Sequence, residues 1–201
     1  LTEIYLWSMK RSDLERIPVE GWIGFLEGKE PDYPELALRK DFAHICGKMQ
    51  EMRDDPTTPD TRLADWAMGI EPSATDALLN LMLGGYITNR VYSLHCRVRY
   101  FDPGAQRAGP PEDVAALVEK ILPEETVLTL VNINPVHERT VIVQTGGYAE
   151  HQCTSVSAGG KTTPVNESFF KVHLAPGAGG TLHIALKRFH NQPTLAFPWD
   201  R

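Results

Sequence analysis

The chain has 201 residues, 42% hydrophobic and 23% charged, which suits one large domain or two small ones whose core needs no disulfide or metal staple. The formal net charge of −6 lies in residues 1–91, where 16 Asp and Glu face 10 Lys and Arg; residues 92–201 hold 10 of each. Neither half is basic, so nucleic-acid phosphates are excluded as the expected partner, anionic membranes would weakly repel the acidic half, and no apolar stretch approaches the ~20 residues of a membrane-spanning helix.

The chain begins at Leu1 rather than Met, which leads us to expect a processed product or the tail of a longer chain. Its first segment, Leu1 to Met9, carries Ile4, Tyr5, Leu6 and Trp7 and is too apolar for a free tail, so it should pack on something. Ser12 or Asp13 can cap a short turn. Between Val19 and Leu26, Trp22, Ile23, Phe25 and Leu26 stand among glycines, as in a buried loop or short helix.

The clearest helix is predicted from about Pro34 to Arg53. Proline suits the first helical position, where its missing N–H would be unpaired anyway. Leu38, Phe42, Ile45, Met49 and Met52 recur at helical spacing and share one face. Asp54-Asp55-Pro56 ends it. Residues 54–72 read as a long polar loop with three prolines. A second helix is expected from Ser73 as N-cap, with Asp76 three residues on and Gly84-Gly85 as the stop.

Near residue 91 the period changes to two. Leu94, Cys96, Val98 and Tyr100 alternate with His95, Arg97, Arg99 and Phe101, which predicts a half-buried strand. A short helix is expected from about Pro111 to Ile121, with Val114, Leu117, Val118 and Ile121 inward. Strands are predicted at 126–133, 139–145, 148–157, 168–174 and 181–189, punctuated by Asn134-Pro135 and by glycine pairs. The fold class is therefore α+β: a helical region over 1–91, then an antiparallel β-sandwich over 92–201.

The candidates for chemistry are few. His95, Arg97 and Arg99 would share one strand face, a basic row able to hold a carboxylate, a phosphate or acidic side chains of another domain. Cross-strand pairing with Glu138, Glu150 or Glu167 is the structural alternative. On the 54–72 loop, Arg62, Asp65 and Trp66 bring charge, hydrogen bonding and an aromatic face together for ligand contact, although Trp66 among apolar neighbours also suits a core plug. Glu150-His151 could be an acid–base unit, but neighbours on a strand point to opposite faces. Six of seven histidines lie in the strand-rich half, none at metal-ligand spacing, and Cys46, Cys96 and Cys153 are odd in number and far apart, as buried apolar side chains would be. No nucleophile elbow, phosphate loop or dinucleotide fingerprint occurs, so no catalytic residue, cofactor or metal is expected.

The stretch Thr126 to Val143, TVLTLVNINPVHERTVIV, ends a strand in Asn-x-Asn-Pro and returns after His-Glu-Arg. It resembles the C-terminal β-sandwich modules that follow the catalytic domain in many large glycoside hydrolases. That resemblance implies an accessory region that steadies a catalytic domain, with the helices of residues 30–85 as the last helices of a barrel, and it carries over no catalytic residue. The expectation is a non-catalytic portion or accessory subunit of a larger, carbohydrate-active enzyme, with that catalytic domain as partner. A free-standing module binding a carbohydrate or other small ligand is the alternative.

Overall fold

The computed structural model of the chain describes residues 1–62, 69, 71–86 and 95–201. Among these, five helices precede nine strands: α1 (Thr2–Ser8), α2 (Arg11–Leu14), α3 (Gly21–Leu26), α4 (Tyr33–Asp54) and α5 (Asp76–Leu83). The strands are β1 (Val98–Asp102), β2 (Arg107–Ala108), β3 (Val114–Ile121), β4 (Glu125–Asn132), β5 (Arg139–Thr145), β6 (Gln152–Ala158), β7 (Lys161–Glu167), β8 (Phe169–Leu174) and β9 (Gly179–Lys187). They form two antiparallel sheets, ordered β2-β1-β5-β8 and β3-β4-β9-β6-β7. The α+β class and the sandwich are as the period switch predicts. The switch itself, near residue 91, lies outside the described residues.

One core runs through helices and sandwich. Val98, Tyr100, Val141 and Val143 from the first sheet meet Val118, Leu128, Leu130 and Ile184 from the second, and Tyr5, Leu6, Leu14, Trp22 and Leu81 join the same cluster. The first segment is thus an anchored helix. A seven-residue helix has no stability of its own in water, so tertiary burial of Tyr5 and Leu6 holds it, each contributing about 2 kcal/mol. The Tyr100 hydroxyl donates to the Met82 carbonyl at 2.6 Å and ties α5 to β1.

Four elements depart from expectation. Residues 114–121 are a strand, not a helix. The buried residues Val114, Val118 and Ile121 mimic helical spacing because a bulge between Val118 and Lys120 interrupts ordinary alternation. β7 was not anticipated: its Thr, Pro and Asn content reads as loop, and Pro164 is tolerated because β7 is an edge strand. The strand expected from Leu94 begins only at Val98, and the N-cap of α5 is Thr75, while the Ser73 hydroxyl turns to Glu71.

The longest helix agrees in extent, but its apolar stripe does not enter the core. No residue of α4 is buried; Phe42 is 68% exposed, and Leu38, Met49 and Met52 are exposed as well. The inner side of α4 is the half-buried row Ala37, Asp41, Ile45 and Lys48.

The Asn-x-Asn-Pro turn is a hydrogen-bond knot. Asn132, fully buried, donates from Nδ2 to the carbonyls of His137 (2.8 Å), Leu174 (3.3 Å) and Ala175 (3.1 Å), and its Oδ1 accepts from the Asn134 N–H (3.0 Å). Asn134 and Arg139 both donate to Asp113, at 2.8 Å each.

Candidate functional site

The predicted basic row does not exist as a row. Arg99, on β1, is half-buried; it donates to the Gly147 carbonyl at 3.3 Å and lies 5.1 Å from the Phe101 ring centre. His95 and Arg97 precede the strand and turn into the protein, beneath α1. Arg62 donates to the Thr57 hydroxyl (3.0 Å) and carbonyl (3.2 Å), next to Asp55 at 3.7 Å, so it braces its own loop. Asp65 and Trp66 lie outside the described residues.

Arg97 is the unusual residue of the molecule. The left-handed turn at Gly84, which ends α5, brings the chain so close that a Cβ there would stand 3.2 Å from the Arg97 Cβ and 2.9 Å from Val118. Arg97 then bridges two elements by its backbone: its N–H donates to the Leu83 carbonyl (2.9 Å) and its carbonyl accepts from Gly146 (2.8 Å). Its side chain is 1% exposed, and Nε, Nη1 and Nη2 are all buried without a hydrogen-bond partner among the described residues. A guanidinium carries five N–H donors, and buried donors are almost always satisfied. Burial, then the like charge of Arg188, pull its pKa down to about 9, while Tyr5 and Glu150 act the other way. Arg97 therefore remains a cation at neutral pH.

A ring of titratable and aromatic groups surrounds it. His95 stands 5.1 Å from Trp7 centre to centre, Trp7 stacks on Phe189 at 5.3 Å, and Phe189 meets His151 edge-on at 4.9 Å. Trp7 and Phe189 are each 47% exposed, so this stacked pair separates the two histidines from solvent. Burial first, then Arg97, hold His95 down to about 4 and His151 down to about 3. Both rings are neutral at pH 7. The His151 Nδ1 accepts from the Phe189 N–H at 3.1 Å, and the Nδ1 of His95 is likewise buried without a partner among the described residues.

Glu150 and His151 do come together, His151 Nε2 lying 3.9 Å from Glu150 Oε1, because they sit in the turn before β6 rather than on it. A neutral His151 makes this approach something other than an ion pair. Burial raises the Glu150 pKa, against hydrogen bonds from backbone N–H groups, including Tyr148 at 2.8 Å. Gly146, at φ +85°, makes room: a Cβ there would stand 2.3 Å from that carboxylate.

Arg97 feels the like charge of Arg188 and the opposite charge of Glu150, and Arg188 already donates to the Trp7 and Ser8 carbonyls. Neither histidine is poised for proton transfer near neutral pH, and burial pushes the neighbouring Cys96 thiol up to about 12. Among the described residues no three His, Cys, Asp or Glu converge as metal ligands. Cys46 is exposed rather than buried, whereas Cys96 and Cys153 are buried; all three are free thiols.

Sequence reasoning singled out His95, Arg97, Glu150 and His151 but missed Trp7, Arg188 and Phe189. Only pairing across a separation of about 180 residues unites them, for which spacing offers no signal.

Residues 8–79 match a family described as a domain of unknown function, DUF8034. No curated protein and no solved structure matches the chain. The matched stretch covers α2 to α4 and the start of α5, excludes the sandwich and Arg97, and carries no link to glycoside hydrolases.

Proposed function

We propose that this chain is a non-catalytic small-ligand binding module whose site is the seam around Arg97, and that its ligand bears a compact oxyanion, a carboxylate or a phosphate. The observation that carries this reading is the buried guanidinium with three partnerless nitrogens. An uncompensated buried charge costs several kcal/mol in order of magnitude, and an oxyanion, which matches the guanidinium fork, is the group that offsets it. The neutral rings of His95 and His151 add acceptor or donor capacity without adding charge. The stacked face of Trp7 and Phe189 offers an apolar platform for the rest of the ligand, which reaches Arg97 past them.

The test is calorimetric titration at pH 7 with benzoate, glucuronate and inorganic phosphate. One of the three should bind saturably, and Arg97→Met should abolish its binding while Arg62→Ala leaves it intact. Absence of binding by all three, or equal binding to the Arg97→Met variant, would remove the reading. Glucuronate tests the carbohydrate expectation.

A specific observation also favours the accessory role. Monomeric surfaces rarely carry a continuous apolar row, and Leu38, Phe42, Met49 and Met52 line one exposed face of α4. On that reading α4 packs against the body of a larger assembly, and the anion site is a feature of its accessory unit.

A further inference from the structure

The two sheets are unequal, and the difference leaves a place for one strand. β7 leads through Ser168 directly into β8, so the edge of the five-stranded sheet and the edge of the four-stranded sheet lie on the same side of the sandwich. Between them runs an open groove of about 600 Å³. Its floor is made of inward-facing core side chains: Val156 and Leu182 from the larger sheet, and Phe170 and Val172, which pair with the buried Val143 and Val141. Val156, Phe170 and Val172 are core by register but only partly covered, whereas Leu182 beneath them is buried.

The edges differ in what they accept. In β7, Pro164 lacks an N–H, which blunts that edge. β8 contains no proline and, among the described residues, pairs only with β5, so its other side presents backbone groups that no described strand pairs. Charge at the groove has one sign: Lys161 and Lys171 line it and no carboxylate does. Edge lysines discourage self-pairing, because an antiparallel pair of β8 edges centred on Val172 would set Lys171 of each copy against His173 of the other. The same lysines attract an acidic strand.

We propose that β8 is an acceptor edge for one extended segment of a partner protein, in which apolar and acidic residues alternate. Added beside β8, such a segment completes the smaller sheet as a fifth strand. Its apolar side chains fill the groove over Phe170 and Val172, its backbone pairs with β8, and its carboxylates meet Lys171 on the outer face of that sheet. The groove shares no lining residue with the seam around Arg97, and the proposal does not depend on that seam.

The experiment uses the ¹⁵N-labelled full chain and a capped nonapeptide alternating valine and glutamate, with a valine–lysine peptide as control. The expected result is saturable shifts confined to the amides of residues 161–174 and the facing groove. Lys171→Glu, a rim substitution that leaves the core intact, should weaken binding about tenfold. Equal binding of the lysine peptide, shifts elsewhere, or no shifts at about 1 mM peptide would overturn the proposal. Concentration-dependent self-association of the chain alone, reported by the same β8 amides, would also overturn it and make a second copy the occupant.

Discussion

Arg188, at the end of β9, donates from Nη1 to the Trp7 carbonyl at 2.7 Å and from Nη2 to the Ser8 carbonyl at 3.2 Å. The sandwich thereby holds the C-terminal end of α1, where helix carbonyls lack internal partners and a cation is favoured. Charged hydrogen bonds of this kind contribute about 1.5–3 kcal/mol. Arg188→Ala should lower the urea midpoint by a corresponding amount and speed amide exchange at residues 2–8 above all. Uniform exchange changes across the chain would show that α1 is not held locally.

The two histidines predict an acid-sensitive seam. Their folded pKa values, about 4 for His95 and about 3 for His151, lie below the ordinary 6.5, so the unfolded chain binds more protons in that interval. Stability is then full above about pH 7 and falls as pH drops from there toward 4. Each proton taken up on unfolding steepens the fall by about 1.4 kcal/mol per pH unit. Glu150, whose pKa is raised, acts in the opposite sense, stabilising as pH falls through its range. Urea unfolding at pH 7.5, 6 and 5 should show the loss, and the His95→Gln, His151→Gln double variant should flatten it. An unchanged slope in the double variant would place the proton uptake elsewhere.

Asn132 should be intolerant of even isosteric change. Asn132→Asp keeps the shape but replaces the donor of three carbonyl contacts by a buried acceptor. A loss of about 3 kcal/mol or more is expected by denaturant unfolding, against less than about 0.5 kcal/mol for a surface substitution.

Phe42, at 68% exposure, belongs to that tolerant class as far as folding is concerned. Phe42→Ser should leave the unfolding midpoint unchanged, within about 0.5 kcal/mol, while reducing binding of a hydrophobic dye to the α4 face. A marked loss of stability would mean that the ring is a core contact.

How far the sequence reveals these features depends on how local their causes are. α4 is legible because Pro34, the three–four spacing and Pro56 act within one element, yet the same pattern cannot say whether the stripe meets core or solvent. β5 is legible to the residue because its β-branched run Thr140 to Val143 lies between the Asn134-Pro135 turn and Gly146-Gly147, whereas the bulge at Val118–Lys120 disguises β3 and Pro164 disguises β7. Arg97 looks like the solvent face of a strand because an alternation read from Leu94 puts it on the polar side. Its burial follows instead from the Gly84 turn and from α1 lying across it, both set by tertiary contacts.

The central claim is that Arg97 is held without a partner for the sake of an anion. The most direct measurement is chemical unfolding of the wild type and of Arg97→Met at pH 7, each with and without the anion that titration identifies. Without ligand the variant should be as stable as the wild type or more so, since a buried unpaired charge has been replaced by an apolar chain of similar length, and only the wild type should gain stability from the anion. A variant that is markedly less stable, with neither protein responding to any anion, would contradict the account and make Arg97 a structural residue.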